Sequence, residues 1–120
     1  MKQETKREYY ESGALQYEWN YENGKLEGLS KEYYESGALQ AEWNHKNGKL
    51  EGLAIEYYEN GKLENEWNFK NGKREGLSKL YDESGGIRYI DTYKNGQKIN
   101  RKAYDEEGKL KFDQDYPYTE

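Results

Sequence analysis

Hydrophobic and polar residues alternate along most of this chain, and turn dipeptides interrupt the alternation at regular intervals. Residues 39–46 read LQAEWNHK, with Ala41, Trp43 and His45 separated by single polar residues. Such period-two alternation indicates a half-buried β-strand. Asn47-Gly48 follows at once, and Asn-Gly between two alternating segments is a strong signal for a tight β-hairpin. The pattern therefore predicts antiparallel strands joined by short turns.

Turn dipeptides divide the whole sequence into segments of strand length. Nine occur: Ser12-Gly13, Asn23-Gly24, Ser36-Gly37, Asn47-Gly48, Asn60-Gly61, Asn71-Gly72, Ser84-Gly85, Asn95-Gly96 and Glu107-Gly108. A helix is the competing interpretation, but a glycine every 11 to 13 residues ends a helix before its nucleation cost is recovered. We predict an all-β fold, a single-layer antiparallel β-meander of tandem hairpins with about ten strands.

The hairpins repeat with a period of 24 residues. REYYESGALQYEWNYENGKLEGLS begins at Arg7, KEYYESGALQAEWNHKNGKLEGLA at Lys31 and IEYYENGKLENEWNFKNGKREGLS at Ile55. A weaker copy begins at Lys79, and a last copy, one residue shorter in spacing, begins at Lys102. Residues 1–120 are therefore predicted to form one repeat domain. Its repeats span approximately 7–30, 31–54, 55–78, 79–101 and 102–120, the last being a degenerate C-terminal cap.

Counting outward from two-residue turns predicts which residues face each other across strands. Across Asn47-Gly48, Trp43 faces Gly52, and across Ser36-Gly37 it faces Ser30. The same count places Trp67 between Ala54 and Gly76, and Trp19 opposite Gly28. We predict that each tryptophan ring covers a strand glycine, since glycine leaves room for the ring.

The fourth repeat supports this pairing. Asp91 stands at its tryptophan position, and Asn100 stands at the glycine position opposite. Tryptophan and glycine are lost together, which unrelated positions do not require. Adjacency of Trp43 and Gly52 is therefore the test of the predicted register.

This register assigns side chains to two faces. The tryptophan face is predicted to carry Leu15, Tyr17, Trp19, Tyr21, Leu26, Tyr34, Leu39, Trp43, His45, Leu50, Tyr58, Leu63, Trp67 and Phe69. The opposite face is predicted to carry Leu29, Tyr33, Leu53, Ile55, Tyr57, Leu77 and Tyr81, interleaved with Gln40, Glu42, Asn44, Lys31 and Lys79. Ten strands form a ribbon roughly 45 Å wide. Because no segment supplies a second layer, the sheet must curl or pack against a second copy.

Composition supports a folded sheet rather than disorder. Only 32% of residues are apolar and 36% are charged, a balance typical of disordered proteins. Fourteen tyrosines and three tryptophans argue for folding, because disordered proteins are poor in aromatic residues. The apolar surface is mostly amphipathic rings, which suit a sheet half exposed to water.

Charge and targeting signals limit the partners and the compartment. The net charge is −5, and lysine and arginine are scattered along the sequence, which disfavours nucleic-acid and membrane partners. No stretch approaches the ~20 apolar residues that span a bilayer. Residues 1–7 lack the apolar core of a signal peptide. We expect a cytoplasmic protein if Met1 is the natural start, and a secreted or cell-surface protein if an export signal precedes it.

The residues needed for catalysis or metal binding are scarce. The sequence has no cysteine, and its single histidine, His45, occupies the position held by Tyr21, Phe69 and Tyr93 in other repeats. We interpret His45 as an aromatic filler. Neither a zinc site nor a Ser-His or Cys-His nucleophile can be assembled from this set.

Carboxylates give no clearer active site. Glu18, Glu42 and Glu66 form a column beside lysines, which we interpret as a solvated charge ladder because a flat repeated face offers no single cleft. The acidic C-terminal residues lack a calcium-loop pattern; they are Asp105, Glu106, Glu107, Asp113 and Asp115. We predict no catalytic residue, metal site or cofactor, and no enzymatic activity.

Residues 57–85, YYENGKLENEWNFKNGKREGLSKLYDESG, carry a motif known from one family. Its parts are residues 57–63, 66–69, 70–73 and 75–76. They resemble the bacterial variant of the MORN (membrane occupation and recognition nexus) repeat, found in proteins named YwqK-type antitoxins. The resemblance covers nearly the whole sequence and is strongest in the first three repeats. It implies a single-layer sheet used for protein contact, a role beside a polymorphic toxin and, from classical MORN repeats, a link to phospholipids.

Two classes of function fit these observations. The first is a non-catalytic protein–protein interaction module, in its specific form an antitoxin or immunity protein whose acidic surface suits a basic toxin. The second is a structural or surface-exposed array that self-associates, for example as a dimer. Phospholipid binding ranks third because the protein is acidic. The predicted partner-binding residues are Leu29, Tyr33, Leu53, Ile55, Tyr57, Leu77 and Tyr81.

Overall fold

A computed structural model describes residues 2–120, which form one antiparallel sheet of thirteen strands without any helix. The strands are β1 (Gln3–Tyr9), β2 (Leu15–Glu22), β3 (Lys25–Leu26), β4 (Gly28–Tyr33), β5 (Leu39–Lys46), β6 (Lys49–Leu50), β7 (Gly52–Tyr57), β8 (Leu63–Lys70), β9 (Lys73–Arg74), β10 (Gly76–Tyr81), β11 (Ile87–Lys94), β12 (Gln97–Tyr104) and β13 (Leu110–Asp115).

Ten of the strands in residues 2–120 lie side by side in the order β1-β2-β4-β5-β7-β8-β10-β11-β12-β13. The two-residue strands β3, β6 and β9 pair with β2, β5 and β8. This arrangement confirms the predicted all-β meander of tandem hairpins. The described residues measure 47 × 37 × 18 Å, so the sheet is broad and thin.

The Asn-Gly turns have the predicted two-residue form. Lys46 pairs with Lys49 across Asn47-Gly48, and both turn residues have positive φ, 53° and 82°. Asparagine and glycine tolerate this left-handed backbone better than other residues do. Each Asn-Gly therefore closes a tight hairpin, as its sequence indicates.

The Ser-Gly turns have three residues rather than the predicted two. Tyr34 N donates to Ala38 O at 2.8 Å, and Gly37 has a φ of 97°. This is the three-residue hairpin loop that ends in a left-handed glycine. A bulge opposite Tyr33 then adds one residue to the second strand. The longer loop and the bulge shift the register in opposite directions, so the predicted register is restored. Beyond the bulge, Ser30 pairs with Trp43 as predicted.

The same bulges move three leucines to the other face. Leu15, Leu39 and Leu63 pair with Tyr9, Tyr33 and Tyr57. Residues directly opposite in an antiparallel pair point to the same side of the sheet. The prediction that these leucines lie on the tryptophan face was therefore wrong.

The predicted contacts between tryptophan and glycine were also wrong. After Asn47-Gly48, the residues Glu51 and Gly52 form a two-residue bulge, with Gly52 at a φ of 77° and Glu51 N donating to Asn44 O at 2.9 Å. Within the hairpins, Trp19, Trp43 and Trp67 are therefore level with Ser30, Ala54 and Ser78 rather than with Gly28, Gly52 and Gly76. Because the bulge adds two residues, the register shifts but the alternation of side chains between the two faces is preserved. The tryptophans therefore lie on the predicted face.

Small residues, not glycines, lie beside the tryptophans. Ser30 pairs with Trp43, Ala54 with Trp67 and Ser78 with Asp91. On their other sides, the register of β2 with β4, β5 with β7 and β8 with β10 brings the same small residues level with Trp19, Trp43 and Trp67. Ser30, Ala54 and Ser78 are only 1%, 1% and 6% exposed. The large rings thus cover the short side chains between them.

The fourth repeat follows a different register because its bulge is one residue shorter. Asp91 pairs with Arg101, and Asn100 pairs with Thr92, with Ile99 as the extra residue. The prediction that Asn100 faces Asp91 was therefore wrong. The shorter bulge also explains why the spacing of the last repeat is one residue less than 24.

Hydrogen bonds between neighbouring repeats recur at the same positions. Glu51 Oε1 accepts the Asn71 N–H at 3.0 Å, and Gly72 N donates to Leu50 O at 2.9 Å. At the other end of the strands, the Tyr34 hydroxyl donates to Tyr57 O at 2.7 Å. Equivalent bonds join the flanking repeats, so each hairpin is fastened to the next at both ends.

The sheet has almost no deep core. Within residues 2–120, the buried apolar side chains are Ala41, Ala54 and Ala103, while the tryptophans are half-buried. A single layer leaves both faces of every strand open to water. Stability therefore rests on cross-strand contacts between neighbours rather than on a packed interior.

The bulge geometry predicts that substitution of Gly52 destabilises the folded protein. Gly52→Ala should lower the free energy of unfolding by about 1–2 kcal/mol, because a Cβ disfavours the left-handed backbone. Gly52→Asn should cost less, since asparagine tolerates positive φ. Denaturant unfolding of the two variants checks the difference, and equal effects would contradict it.

The close spacing of the tryptophans predicts that a larger side chain at Ala54 destabilises the folded protein. Ala54→Leu should destabilise the sheet by about 1–3 kcal/mol, because the added methyl groups compete with the rings of Trp43 and Trp67 for one site. The neighbouring Leu53 is 44% exposed on the opposite face. Leu53→Ala should therefore change the unfolding free energy by under about 0.5 kcal/mol. The prediction fails if Leu53→Ala costs more than Ala54→Leu.

Candidate binding surfaces

The opposite face displays a row of exposed leucines. Leu29, Leu53 and Leu77 are 47%, 44% and 48% exposed, and they recur on every second full-length strand. We call these three residues the leucine row. Strands lie about 4.8 Å apart, so successive leucines are separated by roughly 10 Å. A regular line of large apolar side chains in water is a feature of interaction surfaces.

Asparagines fix the backbone beneath the leucine row. The Asn20 side chain donates to Leu29 O at 2.7 Å, and the Asn68 side chain donates to Leu77 O at 3.0 Å. These bonds satisfy main-chain carbonyl groups on a strand that is paired irregularly at its bulge. The side chains of Leu29 and Leu77 therefore project from a main chain that is anchored by hydrogen bonds.

The remaining predicted partner-binding residues lie beside the leucine row and are less exposed. Ile55 pairs with Glu42 on one side and Glu66 on the other. Tyr33, Tyr57 and Tyr81 are half-buried at the strand ends nearer the Ser-Gly turns, opposite Leu39, Leu63 and Ile87. The structure thus places all seven predicted residues on one face: three leucines form one row, three tyrosines form a second row, and Ile55 lies between the two rows.

Two of these tyrosines contact glutamates. The Tyr57 hydroxyl donates to Glu42 Oε1 at 3.3 Å, and the Tyr81 hydroxyl donates to Glu66 Oε1. Burial, together with Glu42, raises the pKa of Tyr57. Burial first, then the hydrogen bond and charge of Glu66, raise the pKa of Tyr81 to about 12. Both phenols are therefore neutral donors at physiological pH.

The predicted glutamate column is a charge ladder with different partners. Glu18 accepts a hydrogen bond from Arg7 Nε at 2.9 Å, whereas Glu42 and Glu66 bind tyrosine hydroxyls. Cross-strand neighbours of the column include Lys31 and Lys79. The carboxylates lie on alternate strands of an open face, so they do not meet across a cleft.

The tryptophan face carries a shallow apolar depression over the first two repeats. It has a volume of about 260 Å³ and is lined by Tyr17, Trp19, Leu26, Ser30, Trp43, His45 and Leu50. The rings of Tyr17 and Trp19 stack with their centroids 5.0 Å apart. The lining of this depression is mostly apolar and aromatic.

His45 lies in this depression as an aromatic side chain. It pairs with Gly28 and Leu50 on its two sides. Burial lowers the pKa of His45, and the carboxylate of Glu27 opposes that shift. The imidazole is therefore mainly neutral at pH 7, in keeping with the ring positions that Tyr21 and Phe69 occupy in sister repeats.

The same face becomes polar in the third and fourth repeats, and of the two substitutions responsible the sequence analysis identified Asp91 but missed Arg74. Arg74 replaces the leucine found at positions 26 and 50, and Asp91 replaces a tryptophan. Asp91 is 8% exposed and forms a bidentate pair with Arg101 at 2.8 and 2.9 Å. Lys98 Nζ lies 3.6 Å from the same carboxylate. Aligning the repeats at the positions of Leu26 and Leu50 would have revealed Arg74 as well.

Lysines collect along the edge of the sheet formed by the Asn-Gly turns. They are Lys25, Lys46, Lys49, Lys70, Lys73 and Lys94, and all are exposed. Lys46 pairs with Lys49 and Lys70 with Lys73. The 24-residue period brings these cations, which are scattered in the sequence, to one edge, where the carboxylates of Glu27, Glu51 and Glu75 bind the asparagine N–H groups of the turns.

The acidic C-terminal residues have structural roles. Asp105 Oδ1 accepts the N–H groups of Glu107 and Lys109 at 2.9 and 3.0 Å, which shapes the last turn. Asp113 and Asp115 accept hydrogen bonds from the Asn100 side chain. Between residues 2 and 120, no three His, Cys, Asp or Glu side chains are grouped as metal ligands. The same part of the protein has no helix long and apolar enough to span a membrane.

Comparison with known families gives one match. A family profile described as a MORN repeat variant matches residues 5–23, 26–47, 50–71 and 74–95. The four segments together cover more than half of the sequence, and the last three begin 24 residues apart. No curated protein matches the sequence significantly.

The tyrosine–glutamate contacts predict a selective pKa change. Glu66→Gln should lower the pKa of Tyr81 from about 12, but not to 10, because burial is the larger cause of the shift. Since the folded state raises this pKa, its contribution to stability is complete below pH 10 and is lost as the pH rises toward 12. NMR titration of the Tyr81 ring measures the shift. Glu42→Gln is the matched control and should leave Tyr81 unchanged.

Proposed function

The protein belongs to the MORN repeat variant family, and we propose that it is a non-catalytic protein–protein interaction module. The leucine row carries this proposal, because three large apolar side chains lie exposed at regular spacing, and asparagine side chains anchor the main chain at Leu29 and Leu77. The open repeated sheet is an architecture typical of binding rather than of catalysis.

The chemistry around the leucine row suits a protein partner. Leu53 provides apolar contact area, while Tyr57 and Tyr81 add rings with low side-chain entropy. Glu42 and Glu66 alternate with Lys31 and Lys79, so the row is bordered by charges of both signs. Apolar anchors surrounded by polar groups are a common composition for a protein interface.

The specific form that we propose is an antitoxin or immunity protein. Its support is the resemblance to repeats in proteins named as antitoxins, together with the net charge of −5, which favours a basic toxin. Affinity for such a partner should fall as salt increases. Binding that is insensitive to salt would count against a basic partner while leaving the interaction module intact.

Self-association is the second candidate function. The sheet is 18 Å at its thinnest extent, and the leucine row on one face is exposed. A second copy packed against that face would supply the missing layer. Light scattering over a range of concentrations tests this directly, and a monomer at all concentrations excludes it.

The leucine row provides the main mutational test. Leu53→Ser combined with Leu77→Ser should weaken binding to the captured partner by roughly tenfold or more, because two exposed anchors are removed. Lys46→Ser combined with Lys70→Ser, at the turn edge, is the matched control and should bind as the unaltered protein does. Circular dichroism should show that both variants remain folded.

Two outcomes would contradict the proposal. One is the absence of any reproducible protein partner in affinity capture from the source cell. The other is equal loss of binding in the leucine and lysine variants, which would assign the contact to a different surface.

A further inference from the structure

The third repeat places an arginine where the first two repeats place a leucine on the tryptophan face. Leu26, Leu50 and Arg74 occupy equivalent positions, and Arg74 pairs with Phe69. The substitution introduces a positive charge into a face that is apolar one repeat earlier. This charge needs either a partner within the protein or one from outside it.

Aromatic rings hold the Arg74 guanidinium in place. Its Cζ atom lies 5.4 Å from the centroid of Trp67 and 5.0 Å from that of Tyr93. Nη1 donates to the Tyr93 hydroxyl at 2.9 Å. The Arg74 carbonyl also accepts the Gly96 N–H at 2.9 Å, which fixes its backbone. The guanidinium is therefore already oriented before any ligand arrives.

Arg74 lacks the carboxylate partner that the other arginines have. Four arginines occur in the sequence, and Arg7, Arg88 and Arg101 each pair with a carboxylate. Throughout residues 2–120, no carboxylate lies within 4.0 Å of Arg74, and its Nε and Nη2 atoms donate no hydrogen bond. One edge of the guanidinium fork remains free to bind an acceptor.

Arg74 borders a small depression on this face. Its volume is about 150 Å³, and its lining includes Trp67, Arg74, Ser78, Tyr93 and Arg101. Ser78 is 6% exposed, and its hydroxyl has no hydrogen-bond partner in the described part of the protein. A buried hydroxyl without a partner is costly unless a ligand can satisfy it. The equivalent Ser30 hydroxyl is also without a partner, but only Ser78 shares its depression with an arginine, so a polar ligand held by Arg74 can also bind this hydroxyl.

The local charge favours an anion. The carboxylate of Asp91 is already engaged by Arg101 and Lys98, at 2.8 and 3.6 Å. Together with Arg74, these side chains carry three positive charges and one negative charge, a local balance of +2. The depression is therefore cationic within a protein whose net charge is −5.

We propose that this depression binds a carboxylate of a partner protein, either an Asp or Glu side chain or the partner's terminal carboxylate. The free fork of Arg74 matches the two oxygens of a planar carboxylate. The Ser78 hydroxyl provides a further donor at the floor of the site. A phosphate dianion fits less well, because only one guanidinium is free and the Asp91 carboxylate lines the wall.

This inference deepens the proposed function, since it specifies one chemical group that a protein partner brings to the second face. The leucine row and the Arg74 site lie on opposite faces, so each can fail alone. If a partner contacts only the leucine row, carboxylate binding at the Arg74 site can still be measured with small molecules.

The direct test is an NMR titration with small carboxylates at constant ionic strength. N-acetyl-glutamate N-methylamide represents an acidic side chain, and N-acetyl-glycine represents a terminal carboxylate. We expect saturable shifts of the Arg74 Nε–H and Trp67 indole N–H signals with one or both probes. The glutamine analogue, N-acetyl-glutamine N-methylamide, should produce none, because it lacks the charge.

Sister repeats supply variants that the fold already accommodates. Arg74→Leu restores the residue of the first two repeats and should weaken carboxylate binding by roughly tenfold or more, since the charged donor is lost. Tyr93→Phe copies Phe69 and removes only the hydroxyl that anchors Arg74, so a loss of roughly threefold is expected. Leu50→Arg creates a guanidinium that lacks that hydroxyl and should bind more weakly than the native site.

Three results would overturn the carboxylate site. They are unchanged binding in Arg74→Leu, no saturable shift with either carboxylate, and tighter binding of inorganic phosphate than of the carboxylates. None of these measurements requires the natural partner, so failure of the site and failure of the interaction module give different results.

Discussion

Each repeat depends on the Glu-Gly bulge that follows its Asn-Gly turn. At Glu51-Gly52, the left-handed glycine lets the strand gain two residues, and this shift aligns Ala54 with Trp43 and Trp67. The Glu51 carboxylate meanwhile binds the N–H of Asn71 at the next turn. One dipeptide therefore sets the packing within a repeat and the connection to the following one.

This dependence follows from building a protein with a single layer. Because no interior buries large side chains, each tryptophan must be covered by its lateral neighbours and must cover them in turn. Ser30, Ala54 and Ser78 make this possible by leaving room between successive rings. On the first strand, the residue that pairs with Trp19 is Lys6 rather than a serine or alanine. A charged side chain therefore covers the last tryptophan at the edge of the sheet.

Departures from the repeat give the sheet its chemical differences. The first two repeats present an apolar depression around Trp19 and Trp43, whereas Arg74, Asp91 and Arg101 make the continuation of that face polar. The leucine row on the opposite face is unchanged over the same strands. A repetitive scaffold thus combines one regular apolar surface with one local cationic site, and the two suit different parts of a partner.

The ten long strands, the order of the meander and the face of each tryptophan were predictable from the amino-acid sequence, because period-two alternation and Asn-Gly turns are local features. The sequence also placed Leu29, Leu53 and Leu77 on one face. It did not reveal the bulges at Gly28, Gly52 and Gly76, because a glycine inside a strand is compatible with either a flat ladder or a left-handed bulge.

Which residues contact one another across the strands depends on the folded sheet. The bulge set small side chains rather than glycines beside the tryptophans, and the stacking of hairpins gathered lysines that are distant in sequence, such as Lys46 and Lys70, along one edge. It also brought Arg74 between the rings of Trp67 and Tyr93. These contacts join different strands, and their register depends on cross-strand hydrogen bonds that no local pattern encodes.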